Sequence, residues 1–376
     1  MPDALRPPEI VAGQPRRVRA GLVAGVVMLV GFLLSRVTPD ATEMIYARGL
    51  YPPLSRTLSF ISSRVPFSLF ELLVVVLIAM LLVSPAIGFR RARAEGASRR
   101  RAFAIAQLRL AGELGLIWAL FLLLWGFNYA RPEPDRLFGL ERAVEKERAE
   151  ALVAWMGQRL DILREQIAED EQGVVVFGRS FAELDAEIGL LQAEALREAG
   201  LPAPASGRAK RFVTSPVLIR WGVSGIYGPL TGEPNIVDPA PPGRLPFVIA
   251  HERAHLAGFA WEEAASLVAL LTLWRSDDPA LRYAGWLALW VELRRKPDNR
   301  GPGVKRDLEA MAEFARLYLG REAPALRRVY SGYLKAHGVR GGTRSYGRVA
   351  GLALRYLDTR GMPPRPSGLV SSTPPP

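Results

Sequence analysis

The sequence predicts a mainly α-helical protein, with a three-helix transmembrane region followed by a mostly helical domain that holds a small β element. Three observations carry that reading. Long apolar runs crowd the first 130 of the 376 residues. Beyond them, apolar residues are mixed with charge at helical spacing. One stretch, residues 212–238, instead collects Val, Ile, Gly, Pro and Ser.

A bilayer's hydrocarbon core asks for about 20 apolar residues per helix. Residues 20–35 form an uncharged run, slightly short and extendable at both ends. Residues 67–89 are long enough and carry one acid, Glu71, near their start. Residues 110–129 make the third run, with Glu113 near its start and Trp125 and Tyr129 at its far end. Both acids read as favourable charges near helix N-termini rather than as a proton path. The first run has a basic flank, Arg16, Arg17 and Arg19, but Arg36-Val37-Thr38-Pro39 follows it with no small-residue cleavage pattern. It therefore reads as an uncleaved anchor.

Arginine placement sets the expected orientation. The loop between the second and third runs holds Arg90, Arg91, Arg93, Arg99, Arg100, Arg101 and Arg109. The longer loop before it holds only Arg36, Arg48, Arg56 and Arg64. The dense loop and residues 1–19 are expected in the cytoplasm, and everything after the third span outside it.

Downstream, periodicity and Glu/Arg pairing predict helices over 142–169 and 180–198. Residues 212–238 read as short strands with turns. A helix opens near Pro246, a favoured first-turn residue, and runs to about Gly258. Further helices are expected over 261–275, 279–294, 304–320, 323–336 and 344–358. The Pro- and Ser-rich residues 361–376 read as a disordered tail. The expected boundaries are thus 20–130 for the membrane region and 137–360 for the domain after it.

Composition removes several classes. The net charge is +12, dominated by arginine, a topology and lipid-surface signal in a membrane protein. Aromatic and basic residues are not interleaved as nucleic-acid binding would require, so no nucleic-acid partner is expected. The absence of cysteine excludes disulfides and a thiolate zinc site. The lipid bilayer is the first partner.

The chemistry is concentrated at His251-Glu252-Arg253-Ala254-His255, an HExxH pattern using two of only three histidines. On a helix, positions i and i+4 share a face. Both imidazoles can then meet one metal ion, with Glu252 beside it as general base. A catalytic zinc takes three protein ligands and a water. Metzincin spacing would put a third His at position 261, where this chain has Trp261. Gly258 can end the helix in a left-handed conformation and let the chain turn back. Glu262 and Glu263 come next, and Glu262 is favoured as ligand; both acids also suit a helix's first turn.

Glu252 points off the ligand face and suits the base. Arg253 puts a charge inside the motif, which argues against catalysis unless it faces solvent. His337, in a Lys-Ala-His-Gly helix end, reads as structural. Tyr227, Tyr283 and Tyr346 could each stabilise an oxyanion. Nothing in the sequence selects among them, and aromatic packing is the plainer role for each.

These residues resemble a family of bacterial membrane proteins with three N-terminal helices and an extracytoplasmic HExxH domain. The resemblance includes Tyr51-Pro52, Pro66-Phe67-Ser68 and Trp125-Gly126-Phe127-Asn128-Tyr129. It continues through residues 224–235 and Leu245-Pro246-Phe247, and is most specific from His251 to Glu262. It implies a gluzincin-like zinc peptidase of the plasma membrane with a zincin-like domain outside the cytoplasm. On that likeness His251, His255 and Glu262 are the zinc ligands, Glu252 is the base, and residues 224–235 line the cleft for a peptide or protein substrate of the cell envelope. Ala264 and Ser266 stand where the family's tract usually has an acid and an Asn, which removes expected partners of the ligands. The competing expectation is a non-catalytic envelope scaffold or peptide-binding protein with a degenerate or structural metal site.

Overall fold

The computed structural model describes residues 14–293, 299–326, 328–329 and 346–363. In chain order, helix α1 (Arg16–Val37) leads through a short turn (Pro39–Ala41) and a π-helical segment (Thr42–Leu50) into α2 (Tyr51–Ser62). Two long helices follow, α3 (Leu69–Ala94) and α4 (Arg99–Leu124), then α5 (Pro134–Phe138), α6 (Lys146–Arg164) and α7 (Phe181–Glu198). Strand β1 (Lys210–Arg211), helix α8 (Ser215–Arg220), and strands β2 (Gly225–Gly228) and β3 (Glu233–Ile236) come next. The rest is helical: α9 (Leu245–Leu256), α10 (Glu262–Arg275), α11 (Pro279–Glu292), α12 (Pro302–Tyr318) and α13 (Tyr346–Arg360). The chain is mostly α-helical with one small three-stranded sheet, the class the sequence predicts.

Two compact units are present. The first comprises Met1–Ala47, Leu69–Arg131 and Pro229–Thr231. Its helices α1, α3 and α4 are long and apolar enough to cross a membrane, and they mark a membrane protein. Glycines set the packing of α1 on α4. A Cβ at Gly21 would stand 2.1 Å from the Gly112 carbonyl oxygen, and one at Gly25 would stand 2.9 Å from the Gly115 Cα. Small residues allow such backbone approach where helices meet in lipid. Glu71 lies in the first turn of α3, as expected. Glu113 does not lie near a helix start, because α4 begins at Arg99. Its buried carboxylate instead accepts from Ser84 Oγ at 3.1 Å and lies 3.4 Å from Arg17 Nε.

The second unit comprises Arg48–Ser68, Pro132–Gly228 and Gly232–Pro376. Helix α10 is its centre, buried along its whole length, as a helix apolar on most sides must be. Trp274 of α10 stacks on Trp286 of α11 with ring centroids 4.2 Å apart. Asp307 of α12, fully buried, ties the periphery together. It accepts from Arg164 Nε at 2.7 Å, from the Val175 amide at 2.9 Å and from the Tyr283 hydroxyl. In the sheet, β3 is central: β1 runs parallel to it and β2 antiparallel, with Ile226 opposite Asn235.

Two further expectations need correction. The stretch between the first two spans, read as a loop, contains α2; Pro52 sits in its first turn, where a missing N–H costs nothing. The stretch read as strands also holds α8, again with a proline in its first turn. Most of the helix expected over 323–336, His337 and most of the tail lie outside the described residues.

Candidate metal centre

The centre is built by two helices and the turn between them. Helix α9 carries His251, Glu252 and His255, and its first turn holds Pro246. It ends in a Schellman motif. The Phe259 amide bonds the Ala254 carbonyl at 3.1 Å and the Gly258 amide bonds the His255 carbonyl at 2.9 Å. Gly258 takes φ 89°, a conformation that side chains disfavour. The reversal delivers Glu262 in the first turn of α10.

His251, His255 and Glu262 converge. The two Nε2 atoms lie 3.2 Å apart; Glu262 Oε2 is 3.2 Å from His251 Nε2, and Oε1 is 3.8 Å from His255 Nε2. Ligand bonds of about 2.0–2.2 Å to tetrahedral zinc would separate donor atoms by about 3.3–3.6 Å. The donors present fit that ion in type and number, and one atom from each lies within 4.8 Å of the others. Among the described residues this is the cluster of His, Cys, Asp and Glu side chains able to hold a metal.

Partners behind the two histidines fix their rings. His255 Nδ1 lies 2.7 Å from the Phe259 carbonyl oxygen, which can only accept, so Nδ1 carries the proton and Nε2 presents a lone pair. His251 Nδ1 lies 3.2 Å from Ser266 Oγ. Ser266, which the sequence suggested as a lost partner, is therefore a hydrogen-bond partner of His251. Position 264 is a buried alanine.

Burial dominates the electrostatics. It pushes the Glu252 carboxyl up to about 8, although the charge of His251 and the Tyr227 backbone favour its ionised form. It pushes His255 down to about 4, so that ring is neutral at pH 7. Burial also opposes charge on His251, but Glu262 outweighs it and holds His251 above its usual value. Burial likewise raises Glu263, which pairs with Arg348 at 3.3 Å rather than joining the cluster. Glu252 Oε2 is buried with no hydrogen-bond partner. Strand β2 covers Glu252 closely, and a Cβ at Gly225 would stand 2.6 Å from Glu252 Oε1.

Arg253 does not face solvent. It is buried, and Nη1 donates to Asp185 Oδ1 of α7 at 2.6 Å and to the Gly207 carbonyl at 2.9 Å. Its charge is matched by Asp185, so the argument that it disturbs the centre fails.

Of the three tyrosines, Tyr227 of β2 is nearest the chemistry, with its ring centroid 6.5 Å from that of His255. Its hydroxyl lies 3.2 Å from that of Tyr51, which donates to the Leu256 carbonyl at 2.9 Å. Tyr283 instead donates to Asp307, and the side chain of Tyr346 lies outside the described residues. Tyr51 was missed as a site neighbour. Only its helical spacing to Ser55 and Ser59 hints at a shared face.

No curated protein and no solved structure matches the chain. One family model matches residues 46–354, a span that runs from before α2 into α13 and contains the centre. The chain thus belongs to the family described as protein of unknown function (DUF3810).

Proposed function

We propose that the protein is a membrane-anchored zinc metallopeptidase. One observation carries this reading: His251, His255 and Glu262 bring one donor atom each to within 4.8 Å of one another, beside a buried Glu252 whose Oε2 has no partner. Zinc, held by these three side chains, would supply Lewis acidity, polarising a peptide carbonyl and acidifying water. Glu252 takes a proton from the attacking water and passes it to the leaving amine. Phe259 and Ser266 hold the imidazoles in the orientation that turns Nε2 inward. Tyr227 offers a hydroxyl near the centre for the developing oxyanion. The arginine asymmetry supports a plasma-membrane protein with this centre outside the cytoplasm, and hence peptide or protein substrates of the cell envelope.

The test uses the full chain purified in nanodiscs. Zinc is measured by mass spectrometry and hydrolysis with a quenched fluorescent peptide library. Wild type should hold near-stoichiometric zinc, and His255→Ala should lose it. Glu252→Gln should keep zinc while hydrolysis falls about 10²–10⁴-fold. Hydrolysis equal in wild type and Glu252→Gln, both zinc-loaded, would sink the proposal.

A further inference from the structure

Helix α2 presents its faces the wrong way round for a surface bathed in water. Tyr51, Ser55, Ser59 and Ser62 are buried and form one stripe at helical spacing. That stripe is hydrogen-bonded to the rest of the second unit, to which α2 belongs. Tyr51 and Ser55 donate to the Leu256 carbonyl at 2.9 and 3.2 Å, and Ser59 donates to the Gly232 carbonyl at 3.0 Å. Lys210 Nζ donates to the Ser62 and Phe67 carbonyls, each at 2.8 Å, and holds the far end. The other face carries exposed Pro53, Arg56 and Thr57 in its first half and large apolar side chains towards its end. Phe60 and Ile61 are 62% and 56% exposed, and Leu50 and Phe67, just beyond the helix ends, are also exposed.

In water the opposite arrangement is favoured, with serines outward and the large apolar side chains inward. The inversion makes sense if the medium outside is itself apolar. The chain supplies such a medium. The helix is joined on one side to α1 and on the other to α3, both long and apolar enough to cross a membrane. The connection from Ser62 to Leu69 reaches at most about 25 Å even when fully extended. Arg56 and Arg64 are exposed beside the apolar face, and the Arg64 guanidinium lies 4.2 Å from the centre of the Phe60 ring. A cation next to an exposed aromatic suits the boundary between acyl chains and phosphates.

We propose that residues 50–67 form a lipid-facing seat. Leu50, Phe60, Ile61 and Phe67 enter the headgroup–acyl boundary, Arg56 and Arg64 reach lipid phosphates, and the serine stripe carries the unit that holds the metal centre. The seat needs no metal, so it stands or falls separately from the peptidase reading.

The chain has no cysteine, so a single introduced one reports a single place. Full-length Phe60→Cys, Ile61→Cys and Leu317→Cys would be labelled with nitrobenzoxadiazole. Leu317, on α12, is 70% exposed and serves as the comparison. Each protein is placed, one copy per disc, in nanodiscs of phosphatidylcholine and phosphatidylglycerol, and thermal melting verifies the fold. The probes at 60 and 61 should emit to the blue of the probe at 317. They should be quenched by lipids carrying a nitroxide high on the acyl chain, and the probe at 317 by aqueous iodide. Iodide quenching at 60 and 61 without nitroxide quenching would overturn the seat, as would equal behaviour at all three positions. Blue-shifted emission without nitroxide quenching would show that protein, not lipid, covers the face, and would overturn it too.

Discussion

At the scale of single residues, the centre depends on which atoms hold protons. At pH 7 His255 is neutral, with its value near 4, while burial pushes Glu252 up to about 8 and Glu262 holds His251 above its usual value. A divalent cation held by His251 competes with protonation of that ring, and its charge favours the ionised form of Glu252 beside it. Zinc affinity should therefore weaken as pH falls below about 8 and level off above it, with on the order of one proton released per zinc at pH 7. Titration calorimetry in buffers of different ionisation enthalpy measures this, and heats independent of the buffer would contradict it. Ser266 gives a second prediction. Ser266→Ala removes the partner 3.2 Å behind His251 and should weaken zinc binding about 10–100-fold while leaving the fold intact. A chelator competition assay reads the loss, and unchanged affinity would remove Ser266 from the site.

At the scale of elements, the motif helix is locked from behind. Arg253 of α9 and Asp185 of α7 form an ion pair with both side chains under 9% exposed. Removing one partner from such a pair leaves an uncompensated buried charge, at a cost of about 3–5 kcal/mol. Arg253→Met should lower the melting temperature markedly. Adding Asp185→Asn removes the stranded charge, yet leaves an acceptor for the Ala209 amide 3.0 Å away, and should restore much of the loss. Additive losses in the double variant would show that the pair does not act as a unit. The elements themselves were largely legible. The capping box at Ser180 and Glu183, the Pro in the first turn of α9 and Gly258 at its end all mark boundaries through local backbone chemistry. Helix α2 was not legible, because two prolines and three serines hide a helix whose partner face is polar.

At the scale of the whole molecule, orientation is the open physical variable that charge controls. The arginine-rich end of α3 (Arg90, Arg91, Arg93) and start of α4 (Arg99, Arg100, Arg101) should stay in the cytoplasm and leave the chain beyond α4 outside it. Alkaline phosphatase fused after residue 140 should be active in cells, and a fusion at residue 97 should not. The reverse pattern would place the centre in the cytoplasm and rule out the proposed cell-envelope substrates.

The sequence by itself determined what is local. The three apolar spans follow from run length, the helices from periodicity, and the shared face of His251 and His255 from their spacing. The turn that brings Glu262 to them follows from a glycine able to take positive φ. Tertiary structure alone decided what lies behind and around these residues. Ser266 supports His251, Asp185 neutralises Arg253, and Tyr51 reaches the carbonyl that ends the motif helix. Those partners come from other helices, up to 205 positions away in the chain. Periodicity and spacing act within one element, whereas a hydrogen bond between elements exists only once both have packed.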